Sequence, residues 1–154
     1  MRLSWVVLAG LSLIGIAGCK FDVKAKVHSP AEQRQAAIEA LERLHERFNA
    51  REFELIHAEA HESLRALPDG KSQFLTNFKD SHERFGKVIR ADVLAASCLL
   101  GEVHLLVQAQ YEKGDVGEIF IWNVSGAEPR LQYIQIIPGK MPPPEHNPNE
   151  CPTT

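Results

Sequence analysis

Apolar residues fall along the chain at three different spacings, and each spacing predicts a different element. The first is a nearly continuous run. Residues 3–16 are almost all apolar, follow Met1 and Arg2, and end at the small residues Ala17 and Gly18. A charged start, an apolar centre and a small-residue end describe a cleavable leader over residues 1–18. A membrane span needs about 20 apolar residues, which makes an uncleaved anchor helix the weaker alternative.

The second spacing is helical. Ser29 precedes Pro30, and Glu32 stands three residues after the serine. The serine can cap the free backbone N–H groups, and the glutamate can reach back to it. Ala37, Leu41, Leu44 and Phe48 then mark one helical face, which breaks at Asn49 and Ala50. A second helix from about Glu52 carries Phe53, Ile56, Ala60 and Leu64, with an early end near Ala60 allowed. After the turn residues 67–70, Ser72 can cap a third helix bearing Phe74, Leu75, Phe78 and Phe85, which Gly86 ends.

The third spacing is alternation. Ile89, Ala91, Val93 and Ala95 alternate with Arg90, Asp92, Leu94 and Ala96. Val103, Leu105, Val107, Ala109 and Tyr111 alternate with His104, Leu106, Gln108 and Gln110. These predict two half-buried strands, with Asp92 and His104 on the wetter face. Gly114 and Asp115 are placed to make a hairpin turn. Residues 118–124 and 131–137 predict two more strands, both apolar on both faces. One face must cover the helices. The other needs cover from the chain itself or from a partner, and a homodimer through the sheet is one such cover. The proline-rich residues 138–154 predict a disordered tail.

Helices followed by an antiparallel meander make an α+β domain over residues 29–137, preceded by a short charged spacer over residues 19–28. The length fits one domain. The net charge of −3 and the lack of any basic run argue against nucleic acid as a partner. Cleavage would remove Arg2 and no acid, so the mature chain is more acidic still.

Cysteine usage adds the compartment. Ile16-Ala17-Gly18-Cys19 resembles the lipobox of bacterial lipoproteins. The resemblance implies cleavage before Cys19, a diacylglycerol on its thiol and a further palmitate-type chain on the new amine. Stable anchoring needs more than one acyl chain, so the pattern makes physical sense. Lys20 follows the anchor where an inner-membrane lipoprotein commonly has aspartate. By that resemblance a Gram-negative source would hold the protein at the outer membrane of the cell envelope, facing the periplasm, and a Gram-positive one only anchored outside the cell membrane. Cys98 and Cys151 remain. In an oxidising compartment they are either bridged, or a buried residue and a free thiol in the tail.

The order of elements looks like the nuclear transport factor 2-like (cystatin-like) fold, a cone of helices on a curved four-stranded sheet. More narrowly it is similar to a family of small exported bacterial proteins of unknown function. The matching places are residues 49–54 at the helix break, Gly86-Lys87-Val88, Tyr111 and Tyr133. The tryptophan usual before the last strand is absent, since Arg130 and Leu131 stand there. The resemblance implies a cone interior that could form a pocket, with Tyr111, Trp122 and Tyr133 as its candidate lining. Some relatives are isomerases, dehydratases or hydrolases, and others only bind, so fold alone does not choose.

Catalysis in such a cone needs an acid or base facing inward, and the alternation places none there. His57 and His61 stand four residues apart, which on one helix could share a zinc ion. Glu59 would then lie on the opposite face, about 200° away, so this is not a metalloprotease motif. A zinc site would need a third ligand, with only His45, His82 or Glu62 conceivable. Two unliganded histidines are the simpler reading. No phosphate loop, nucleophile elbow or Cys-His zinc spacing is present, so no cofactor is expected. These features predict an envelope lipoprotein with a non-catalytic binding or accessory domain, whose partner is an envelope protein or a small ligand. A small-molecule enzyme using the cone is the alternative.

Overall fold

The computed structural model describes residues 29–144 and 148–153. The leader, the anchor residues Ile16, Ala17, Gly18, Cys19 and Lys20, and the spacer lie outside them. The order is α1 (Pro30–Asn49), α2 (Phe53–Glu59), α3 (Glu62–Arg65), α4 (Gly70–Phe85), β1 (Val88–Leu99), β2 (Glu102–Tyr111), β3 (Gly114–Asn123) and β4 (Arg130–Pro138). The protein is therefore α+β, with its helices preceding a four-stranded antiparallel sheet of order β1-β2-β3-β4.

α1 starts as its sequence requires. The Glu32 N–H donates to Ser29 Oγ at 3.3 Å, and the Ser29 N–H donates to Glu32 Oε2 at 2.8 Å. Its other end is pinned to β1. Asn49 accepts from the Val88 N–H at 2.8 Å and donates to the Val88 carbonyl at 3.0 Å. That side chain does what a neighbouring strand would do.

The second expected helix is two. α2 stops at Glu59 because Ala60 is extended, and the His61 N–H donates to the Leu131 carbonyl at 2.8 Å. A bond to β4 replaces continuation of the helix. α4 begins earlier than Ser72 implied. Asp69 is its N-cap at φ 55°, and Ser72 Oγ donates to the Asp69 carbonyl. A Cβ on Gly70 would lie 2.8 Å from Leu67 Cβ, so the tight entry requires glycine.

β1 departs from its expected phase. The ladder with β2 skips Ile89 and Leu94 at two bulges. Ile89 is thereby turned out and is 63% exposed. Ala95, expected inside, pairs with the outward Leu106, while Ala96 and Cys98 pair with the buried Leu105 and Val103. A bulge adds one residue and so reverses the alternation beyond it. The β2–β3 turn also shifts. Tyr111 pairs with Gly114, so Glu112 and Lys113 make the loop in place of Gly114 and Asp115.

The inner face carries Val103, Leu105, Val107, Val116, Phe120, Trp122 and Leu131, all buried. They pack on Leu41, Leu44, Phe48, Phe53, Phe74 and Phe78 from the helices. Phe48 is central, with ring centroids 5.8–5.9 Å from Phe53, Phe78 and Tyr111.

The segment expected to be a disordered tail is attached at two places. The Met141 N–H donates to Gln108 Oε1 at 2.7 Å, and the Met141 side chain lies over Gly117, where a Cβ would collide with it. Further on, the Cys151 N–H donates to the Ala96 carbonyl at 2.9 Å, and the Cys98 N–H donates to the Asn149 carbonyl at 3.0 Å. Cys98 and Cys151 form a disulfide there. Backbone pairing and a covalent bond supply what the proline-rich composition lacks in apolar surface.

Candidate functional site

Among the described residues, the inner face of the sheet carries one buried carboxylate. Glu118 shares its side of β3 with Val116, Phe120 and Trp122 and is 1% exposed. Tyr111 OH donates to its Oε1 at 2.5 Å, and His45 Nε2 donates to its Oε2 at 3.0 Å. Three elements build this trio. α1 brings His45 beside Leu41 and Leu44, β2 ends in Tyr111, and β3 carries Glu118. The edge of the His45 ring meets Phe120 at 6.0 Å, and the Tyr111 ring meets Phe48 and Phe85 at 5.9 Å.

Burial pushes the Tyr111 phenol well above its ordinary pKa, and the neighbouring Glu118 carboxylate pushes it further. The hydroxyl therefore stays a neutral donor. A carboxylate so held has the chemistry of a general base. Both of its oxygens are occupied, however, and Glu118 lines neither of two surface grooves.

The larger groove, about 580 Å³, lies between α4 and β4. Phe74, Phe78, Phe85, Ile134 and Ile136 give it apolar walls, and Gln73, Arg84 and Gln135 stand among its polar groups. It runs beside the outer edge of β4, which no strand among the described residues covers. A second groove, about 470 Å³, lies between α1, α2 and the β3–β4 loop and includes Arg43, Arg47, Trp122, Glu128 and Arg130. Arg47 is paired with Glu59 there. Compared with known proteins, the chain matches no family model, no curated protein and no solved structure.

The three residues expected to line one pocket are apart. Tyr111 is buried against Glu118, Trp122 borders the second groove, and Tyr133 borders the first at 44% exposure. Parity explains this: Tyr133 pairs with the outward Ile121, whereas Trp122 faces inward. The two faces of the sheet therefore divide the set.

His57 and His61 do not share a helical face, because α2 ends between them. His57 packs inward on Phe74 at 5.3 Å, while His61 caps α3 by accepting from the Ser63 N–H. Of the conceivable third ligands, His45 is engaged by Glu118 and His82 lies 3.3 Å from the Arg51 guanidinium. Among the described residues no three metal-ligating side chains converge. Asp92 is exposed and bonded to Arg90. His104 sits on the outer face, where Glu102 accepts from it at 3.0 Å and from Gln132 at 2.8 Å. Those bonds hold the Glu102 carboxyl below its ordinary pKa.

His57 and His82 are buried and have lowered pKa values, burial being the largest cause and nearby cations the next. Arg51 can only donate, so His82 Nδ1 accepts and the proton sits on Nε2. Both imidazoles take up a proton more readily in the unfolded chain. Stability from these groups is full above pH 6.5 and falls as the pH drops from there toward the folded values. Thermal unfolding followed between about pH 7 and about pH 5 is expected to show a falling midpoint. His57→Leu with His82→Gln flattens that slope; an unchanged slope in the double variant removes these two groups as its cause.

Proposed function

We propose that the chain is a bacterial envelope lipoprotein, cut before Cys19 and held by acyl chains at the periplasmic face of the outer membrane. Its domain is of the nuclear transport factor 2-like kind, and its work is binding. The groove between α4 and β4 carries this reading. It has apolar walls, polar groups at the rim, and a free strand edge beside it, which together suit an extended or apolar ligand. The one inward acid belongs to the core, tied by two partners and remote from the grooves' lining.

The alternative, an isomerase or hydrolase, rests on Glu118 as base. It requires His45 or Tyr111 to release the carboxylate and a passage to open through Phe48, Phe85 or Ile136.

One experiment tests both parts of the proposal. A photo-crosslinking residue replaces Gln135 in the groove, or Glu42 on the exposed face of α1, in cells whose envelopes are then fractionated. Wild type is expected in the outer membrane and Cys19→Ala in the soluble fraction. A discrete adduct is expected from position 135 and none from position 42. Unchanged membrane association of Cys19→Ala sinks the anchor, and equal labelling from the two positions sinks the groove.

A further inference from the structure

We propose that the β1–β2 hairpin tip, Leu99 and Leu100, is a membrane-contact site that dips into the lipid surface holding the protein. The inference rests on the anchor reading and adds an orientation to it. Leu100 is fully exposed, at 104% of the reference value, and Leu99 is 40% exposed. Hairpin loops usually carry polar or turn-forming residues, so two adjacent leucines at a tip need a reason.

The tip is also held rigidly. Gly101 takes φ 76°, a conformation that suits glycine, and its carbonyl accepts from the Val124 N–H at 2.8 Å. A Cβ on Gly101 would collide with Ser125 Oγ, so the β3–β4 loop buttresses the turn. The leucines are projected outward by a braced frame.

Position supplies the occupant. The described chain begins at Ser29, and Cys98 Sγ lies 3.4 Å from the Pro30 carbonyl oxygen. Leu100 is two residues further on, about 7 Å along a strand. Nine residues, 20–28, lie between Cys19 and Ser29, and the ten Cα-to-Cα steps reach at most about 35 Å. The described chain thus enters the domain at the end of the sheet that carries the leucines. Ile89, also exposed at 63%, stands at the far end of the same strand, about 30 Å away.

Charge agrees with this placement. Residues 97–101 at the tip carry no charge, and the linking residues 20–28 hold Lys20, Lys24 and Lys26 against Asp22. Such a linker favours an anionic headgroup layer. Three acids oppose it nearby: Glu102, bonded to His104 and Gln132 on the outer face, Glu150, which bridges Ser97, and the exposed Glu128, 3.9 Å from Arg43. Two leucines alone bind a bilayer weakly; tethered by an anchor they act at high effective concentration and fix which way the domain faces. The groove between α4 and β4 would then be presented at the side of the domain.

The test uses the full lipidated chain reconstituted into phosphatidylethanolamine–phosphatidylglycerol vesicles with brominated acyl chains. Bromine quenches tryptophan only on contact. Leu100→Trp and Ile89→Trp are compared above the background of the buried Trp122. Leu100→Trp is expected to be quenched at least about threefold more than Ile89→Trp, with a blue-shifted emission. Equal quenching in protein that floats with the vesicles overturns the tip contact and leaves the anchor standing. Failure of the wild-type chain to float overturns the anchor and, with it, the contact.

Discussion

Glu118→Ala is expected to lower the unfolding free energy by about 3–5 kcal/mol, the range for removing one member of a buried polar or ionic set. The loss has two sources. The Tyr111 hydroxyl and the His45 ring nitrogen are left without an acceptor in a region where Glu118 is 1%, Tyr111 3% and His45 8% exposed. A cavity also opens beside Phe120 and Val107. Glu118→Gln retains an oxygen for Tyr111 and keeps a hydrogen-bonding amide facing His45, so its cost should be about 1–3 kcal/mol. Tyr111→Phe should fall in the same range of about 1–3 kcal/mol. The double variant Tyr111→Phe with Glu118→Ala should lose less than the sum, by about 0.5–3 kcal/mol. Urea unfolding followed by circular dichroism measures all four. If Glu118→Ala stayed within about 0.5 kcal/mol of wild type, as ordinary surface substitutions do, the trio would not exist in solution.

The same trio shows where the sequence could be read and where it could not. Tyr111 was legible, because it closes a five-residue inward series from Val103. Glu118 has the parity of Phe120 and Trp122, so the information was present. It was hidden because Ile119 and Ile121 make the other face equally apolar, and nothing marked which side was inside. A glutamate at the start of such a run reads as its polar boundary. His45 lies at the margin of the Leu41–Leu44–Phe48 stripe, where a helical pattern does not separate buried from exposed. Only tertiary pairing settles these two.

The helix starts depended on local chemistry and were more accessible. Ser29, Pro30 and Glu32 specify α1 by contacts within one turn. The bulges at Ile89 and Leu94 are different, since no residue there demands them. They reset the face of β1 so that Cys98 points inward with Val103, and that direction matters for the covalent link. The grooves were the least legible feature. Each is shaped by the packing of elements distant in sequence, such as α4 against β4.

Breaking the Cys98–Cys151 bond by the double change Cys98→Ser and Cys151→Ser is expected to cost about 4 kcal/mol, from the chain entropy of a loop closed over 53 residues. The bond does more than shorten the unfolded chain. Asn149 and Cys151 pair with Cys98 and Ala96 along the free edge of β1, with Ser97 and Glu150 bridging between them. An uncovered edge offers unpaired N–H and C=O groups to other chains. At the opposite side of the sheet α3 covers only the Leu131 end of β4. Loss of the strap would thus leave the sheet open at both edges. The serine variant should unfold at lower urea and show concentration-dependent association by light scattering, and wild type under reducing conditions should do the same. A truncation after residue 138 should go further, because it also removes Met141 from Gly117 and Gln108. If the serine variant matched wild type in stability and stayed monomeric, the bond would be incidental, and the hydrogen bonds of residues 149–151 would suffice to close that edge.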